Sequence, residues 1–172
     1  RDVVLSSQAF SRQATDLPIR ILFVCLGNIC RSPAAQAVMQ SLVQKRGVAK
    51  QFTIDSAGTA SYHIGRLPDS RMIAAGQKRG LELKSIAKAF EAKFLEDREL
   101  IIPMDRENLR DILVLAKSST PANVLLLSEF LDDSWPQDVP DPYYGGGAGF
   151  EYVLDMLEAA CPRILDHCKL ST

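Results

Sequence analysis

A chain of 172 residues, 47% of them hydrophobic, is long enough for one domain with a real core. Its 20 basic and 21 acidic residues leave a formal net charge of −1, so nothing in the overall balance draws it to nucleic acid or an anionic membrane, and any anion it binds must be gripped locally. No apolar run approaches the roughly 18 residues of a membrane span, no signal-peptide pattern opens the sequence, and four cysteines and two histidines are too few for a secreted disulfide scaffold or a His-rich zinc site. These exclusions predict a cytoplasmic protein whose cysteines remain thiols.

Arg1–Pro18 mixes Ser, Gln, Arg and Asp without periodicity and reads as a flexible leader, a processed targeting segment being the alternative; residues 19–172 read as one folded domain. Ile21–Val24 is a short apolar run suited to a strand buried on both faces. A helical pattern then runs from Ala34 to Arg46 and stops at Gly47. Phe52–Ile54 is the second strand, and a helix opens at Pro68-Asp69 and closes at Gly80. Leu100–Pro103 is the third strand, Asp105–Lys117 the next helix, and Val124–Leu127 a fourth strand. An Asp, Pro and Gly-rich loop, Asp132–Gly149, leads into a last helix from Phe150 to about Lys169, which Pro162 is expected to kink or divide. Strands alternating with helices predict an α/β, Rossmann-like sandwich with a central four-stranded parallel sheet and helices on both faces. Lys84, Lys88 and Lys93 read as a solvated helix face.

The segment from Cys25 to Arg31 carries the chemistry. A strand ending at Cys25 and a helix starting near Ser32-Pro33, with Ser32 as N-cap and Pro33 at the first helical position, enclose a turn. The backbone N–H groups of Leu26, Gly27, Asn28, Ile29, Cys30 and Arg31 can converge there on a tetrahedral oxyanion. The Arg31 fork can hold two phosphate oxygens, and Cys25 lies where a thiolate is stabilised, aimed at phosphorus.

The stretch "VCLGNICRSP" resembles the phosphate-binding loop of the low-molecular-weight protein tyrosine phosphatases. "DSAGT" at Asp55–Thr59, "GRLPDSR" at Gly65–Arg71, "MDREN" at Met104–Asn108 and "DPYYGG" at Asp141–Gly146 resemble further family segments in the same order. The resemblance implies the phosphotyrosine phosphatase I-like fold, residues 19–172 as its catalytic domain, and hydrolysis of phosphotyrosine through a cysteinyl-phosphate. It implies Cys25 as nucleophile, Arg31 as phosphate clamp and Asp141 as general acid, then base. Ser32 would hydrogen-bond the thiolate, Asn28 and Ser56 would hold the loop's shape, and Cys30 would be the redox partner of Cys25. It implies no metal and no cofactor, phosphotyrosine-containing proteins or peptides as partners, inorganic phosphate as product and inhibitor, and a monomer. Tyr62 and Tyr143 would wall a slot that stacks the substrate ring.

Rival readings stand beside these. Asp138 is an alternative to Asp141, and His63 reads as a rim residue rather than a base. Cys161 and Cys168 read as core residues. Around Lys84–Ala89 the family commonly has His-x-Ala-Arg, whereas Ser85 and Lys88 stand here, so support of the loop from that side is an open question; Pro103 is also unusual. A thioredoxin-coupled arsenate reductase would need relay thiols, and a non-catalytic phosphotyrosine-binding or redox-sensing module would have no use for Asp141.

Overall fold

The computed structural model describes residues 18–116 and 123–168; the leader expected over Arg1–Pro18 lies outside them except for Pro18, as do Lys117 and Lys169. Strand β1 (Ile19–Cys25) forms the middle of a parallel sheet, with β2 (Phe52–Gly58) on one side and β3 (Leu100–Pro103) on the other. The register puts Cys25 opposite Gly58 and Val24 opposite Pro103, so the carboxyl ends of all three strands meet at one edge. Pro103 is tolerated as the last residue of its strand, where the ladder ends.

Alternation along β1 builds two cores at once. Ile19, Ile21, Phe23 and Cys25 join the larger one, with Leu100 and Ile102 of β3. Leu22 and Val24 join the smaller one, with Ile101, Ala57 and Phe94. The larger side is covered by helices α1 (Arg31–Lys45), α2 (Ser70–Gln77) and α5 (Gly147–Cys168). The smaller is covered by α3 (Phe94–Asp97) and α4 (Arg106–Val114). Helices on both faces of a parallel sheet make the α/β sandwich expected from the alternation.

Four expectations are corrected. The sheet among the described residues has three strands, not four: Val124 makes an isolated parallel bridge to Ile101, and the chain then turns into a short 3-10 helix, Leu127–Phe130, before a ladder can extend. Helix α1 starts at Arg31 rather than Ala34, with Cys30 at the N-cap and no side-chain cap. Ser32 and Pro33 are therefore its second and third residues, where Pro33 lacks only an N–H that no helical carbonyl would take. Residues 81–92 are not helical, so Lys84, Lys88 and Lys93 share no helix face. Finally, α5 is not divided at Pro162, because buried residues on both sides, from Phe150 to Leu157 and from Ile164 to Cys168, anchor it to one core.

Pro162 still removes the N–H that would reach the carbonyl of Glu158. Replacing it with alanine should raise stability by about 1–3 kcal/mol. The measurement is a higher midpoint in urea at unchanged slope; a lower midpoint would mean that ring packing outweighs the lost hydrogen bond.

Candidate active site

The loop after β1 is tied by its carbonyls. Cys25 O accepts from Thr59 N–H (2.9 Å), Leu26 O from Ala60 N–H (2.8 Å), Ile29 O from Asp69 N–H (2.8 Å), and Cys30 O from Ala34 N–H (3.2 Å). Among the described residues no protein group accepts from the backbone N–H groups of residues 26–31. With those carbonyls engaged, the donors stand unclaimed at the N-terminus of α1, an arrangement able to hold an anion.

Asn28 makes this turn possible. It is the one non-glycine described residue with positive φ, +56°, a conformation that asparagine tolerates better than most residues. Its buried side chain donates to Ser32 Oγ (2.8 Å) and accepts from the backbone N–H of Lys88 (3.0 Å). Ser32 Oγ lies 3.0 Å from Cys25 Sγ and 3.5 Å from the Ala57 carbonyl, so with Asn28 donating to the hydroxyl its one proton is shared between the nearer sulfur and that oxygen. Ser56 is not brought to the loop: its hydroxyl donates to Gln36 Oε1 (2.6 Å) and joins β2 to α1. The open question around Ser85 and Lys88 has its answer in the main chain, since the Lys88 N–H that holds Asn28 does not depend on the side chain.

Gly58 backs the same turn. A Cβ there would lie 2.7 Å from Leu26 O and 3.1 Å from Asn28 N, against backbone that cannot swing aside.

Arg31 is 3% exposed. Both protons of Nη1 are engaged, by Asp105 Oδ2 (2.6 Å) and by the carbonyl of Val139 (3.0 Å). Nη2 faces Asp141 Oδ2 at 3.7 Å. Burial alone would loosen the guanidinium's proton, but the charge of Cys25, then Asp105 and Asp141, more than offsets it and holds its affinity above the ordinary value. Asp105, which the sequence places only at the start of a helix, is the N-cap of α4, accepting from Asn108 N–H at 2.7 Å.

Asp141 accepts from the backbone N–H of Tyr143 (3.0 Å) and lines the cleft above Cys25. Its rival Asp138 is engaged twice over by Arg106, whose grip holds that carboxyl below the usual range. Tyr62 and Tyr143 both line the cleft, but His63 stands between them, 6.3 Å from the Tyr62 ring and 5.9 Å from that of Tyr143. His63 also covers Gly27, where a Cβ would meet its Cδ2 at 2.9 Å, so it is a wall rather than a rim residue. Cys30 is buried at the cleft with its thiol pushed well up by burial and then by Asp69 and Cys25. Cys161 and Cys168 are buried in the main core, and burial pushes the Cys168 thiol up to about 12. A larger groove, about 680 Å³, runs along α1 past Gln36, Gln40 and Gln44 and shares no residue with this cleft.

Residues 20–171 match the family model described as low molecular weight phosphotyrosine protein phosphatase. The chain is 41% identical to the low molecular weight phosphotyrosine protein phosphatase of Schizosaccharomyces pombe over 133 residues, 77% of this chain and 85% of the relative. A crystal structure of a protein tyrosine phosphatase from Entamoeba histolytica with Hepes in the active site superposes with a TM-score of 0.83 at 39% identity, over 86% of this chain and 95% of that one. The Drosophila arginine phosphatase superposes with a TM-score of 0.82 at 30% identity, over 90% and 100%. The α/β sandwich with this loop is thus that of a phosphatase. The chain belongs to the low molecular weight phosphotyrosine protein phosphatase family and is a hydrolase of that type.

Gly58→Ala should cost about 1–3 kcal/mol of stability and lower phosphatase activity together, because it pushes on the loop itself. Urea denaturation and phosphate inhibition, measured side by side, would show whether the loop and the fold are so coupled.

Proposed function

We propose that the chain hydrolyses phosphotyrosine in proteins and peptides, and small aryl phosphates, through a cysteinyl-phosphate at Cys25. The observation that carries this reading is the loop with its carbonyls tied outward and its N–H groups unclaimed, closed by Arg31 and faced by Asp141. In the first step the Cys25 thiolate attacks phosphorus in line, the P–O bond to the phenol breaks, and Asp141 gives its proton to the departing oxygen. In the second, Asp141 takes a proton from water as that water attacks phosphorus, the S–P bond breaks, and phosphate leaves with the thiolate restored. Fixed N–H donors and Arg31 stabilise the charge spread over the equatorial oxygens in both steps. Inorganic phosphate, as product, competes for the same donors.

The cleft supports an aryl substrate. Ile29, Tyr62, His63 and Tyr143 offer apolar and aromatic walls to a ring, a contact worth roughly 0.5–1.5 kcal/mol, and Asp141 is the one carboxylate lining it for a guanidinium. Arsenate reduction is disfavoured: on the unbroken α5, Cys161 and Cys168 stand about 10.5 Å apart along the axis, beyond the roughly 7 Å that a disulfide can bridge. A pure binder would have no use for a carboxylate at Asp141. Free thiols at all four cysteines suit a reducing compartment such as the cytoplasm.

The deciding assay compares peptides bearing phosphotyrosine, phosphoserine, phosphothreonine and phosphoarginine. Phosphotyrosine should be turned over at least tenfold more efficiently than the rest, and Cys25→Ser should abolish turnover while retaining phosphate binding. Comparable rates on all four would sink the aryl slot, and faster phosphoarginine hydrolysis would move the substrate assignment to that class.

Oxidation is proposed to act through the same thiols. Peroxide converts Cys25 to a sulfenic acid; Cys30 then attacks its sulfur, forming the disulfide and releasing water. Because Cys30 holds its proton so firmly, closure should quicken as pH rises. Wild type treated with peroxide should recover with dithiothreitol, and Cys30→Ala should recover poorly. Equal recovery, with no disulfide by intact mass, would leave Cys30 a packing residue.

A further inference from the structure

The segment "PDSR" at Pro68–Arg71 has no role in the chemistry described so far, yet it touches both halves of the site. The Asp69 N–H donates to Ile29 O in the phosphate loop (2.8 Å). Its carboxylate caps α2, accepting from Arg71 N–H (2.8 Å), and also grips the Arg71 guanidinium at both oxygens, Nε to Oδ1 (3.0 Å) and Nη2 to Oδ2 (2.9 Å). Held this way, Arg71 reaches across 72 residues of sequence and donates from Nη2 to the carbonyl of Tyr143 (3.0 Å). The Tyr143 N–H in turn donates to Asp141 Oδ1 (3.0 Å). A continuous path therefore runs from the loop that binds phosphate to the carboxylate above it. The ring of Phe150, 4.8 Å from the guanidinium carbon, and that of Tyr143, 5.5 Å, complete the seat of Arg71.

The loop that carries Asp141 has little means of holding itself. Its only regular structure is a three-residue 3-10 helix, Pro142–Tyr144, and two glycines, Gly145 and Gly146, join it to α5. Glycine-rich backbone loses the most freedom on being ordered, so a fixed carboxylate there needs an outside tether. With Oδ1 taken by the Tyr143 N–H, Oδ2 is the oxygen turned toward Arg31 and the cleft.

We propose that Arg71, seated by Asp69, is a positioning residue for Asp141, holding the Tyr143 turn so that Oδ2 stands where the leaving oxygen departs. This rests on Asp141 as the general acid. The guanidinium is required because one planar group must serve a carboxylate and a carbonyl at once, which a lysine ammonium cannot do in the same geometry.

The test is kcat/KM for a series of aryl phosphates spanning phenyl to dinitrophenyl leaving groups, measured for wild type, Arg71→Ala, Arg71→Lys, Asp141→Asn and the Arg71→Ala/Asp141→Asn double variant. Arg71→Ala should lose roughly 10–100-fold on phenyl phosphate, where the leaving oxygen needs its proton, and under about threefold on the dinitrophenyl ester. Arg71→Lys should fall between. Inhibition by inorganic phosphate should change less than about twofold, and in the Asp141→Asn background Arg71→Ala should cost nothing further. Equal losses on both esters, weakened phosphate binding, or additivity with Asp141→Asn would each overturn the proposal. If Asp141→Asn shows the steep leaving-group dependence and Arg71→Ala does not, Arg71 is only a surface brace. If Asp141→Asn itself shows none, the acid assignment fails and takes this one with it.

Discussion

The structure depends on a loop held by its carbonyls at Cys25, Leu26, Ile29 and Cys30. Three separate segments supply the N–H groups: Thr59 and Ala60 just after β2, Asp69 before α2, and Ala34 inside α1. The three segments are well separated in sequence. The loop is therefore not a self-contained turn but the point where the sheet, a helix start and a distant cap meet. Asn28 sits in the left-handed region at its centre, at a cost of about 1 kcal/mol for an L residue, offset by the two side-chain hydrogen bonds that hold it. Both bonds also orient the site, one reaching Ser32 beneath Cys25 and the other the main chain at Lys88.

A buried guanidinium imposes the second condition. Arg31 could not be almost wholly removed from water without charge partners, and leaving such a group unpaired typically costs several kcal/mol. Asp105 and the Val139 carbonyl take one nitrogen and leave the other for the cleft. Because Asp105 follows β3 and Val139 precedes the Asp141 loop, these contacts also register the third strand and Asp141 against the Cys25–Arg31 loop. Sheet topology makes this possible: with β1 between β2 and β3, loops leaving the carboxyl ends of β1 and β3 open side by side, the crevice in which open α/β sheets bind their ligands.

The departures at Ser85 and Lys88 show how a site can absorb changes in side chain. The loop is supported there through a peptide N–H, which any residue but proline supplies. Lys88 turns its ammonium away to pair with Asp55, which Arg98 also approaches at 3.8 Å, and both cations lie near the Phe94 ring. Ser85 Oγ is buried with no hydrogen-bond partner among the described residues.

Local information sufficed for the parts that local physics decides. Short apolar runs and helical patterning placed three strands and the main helices, and a cysteine six residues before an arginine, in a turn between a strand and a helix start, marked an oxyanion site. Where a boundary depended on what the chain meets next, the pattern was silent: the segment at Val124 is apolar enough for a strand, yet it gains a single bridge because the chain turns into a 3-10 helix. The same reason hid Asp105, Gly58, the Lys88 N–H and the aromatic place of His63. Each acts on a partner 30 to 74 residues away (Asn28 for Gly58, Arg31 for Asp105), through a hydrogen bond or a close approach that has no signature in its own neighbourhood. Sequence alone determined which groups could do the chemistry, since residue type and turn geometry set nucleophile, fork and donors. Only the tertiary structure supplies the physical reason for preferring Asp141, the carboxylate that the family resemblance already favoured: Asp138 is chemically alike, but Arg106 has taken it, while Asp141 lines the cleft.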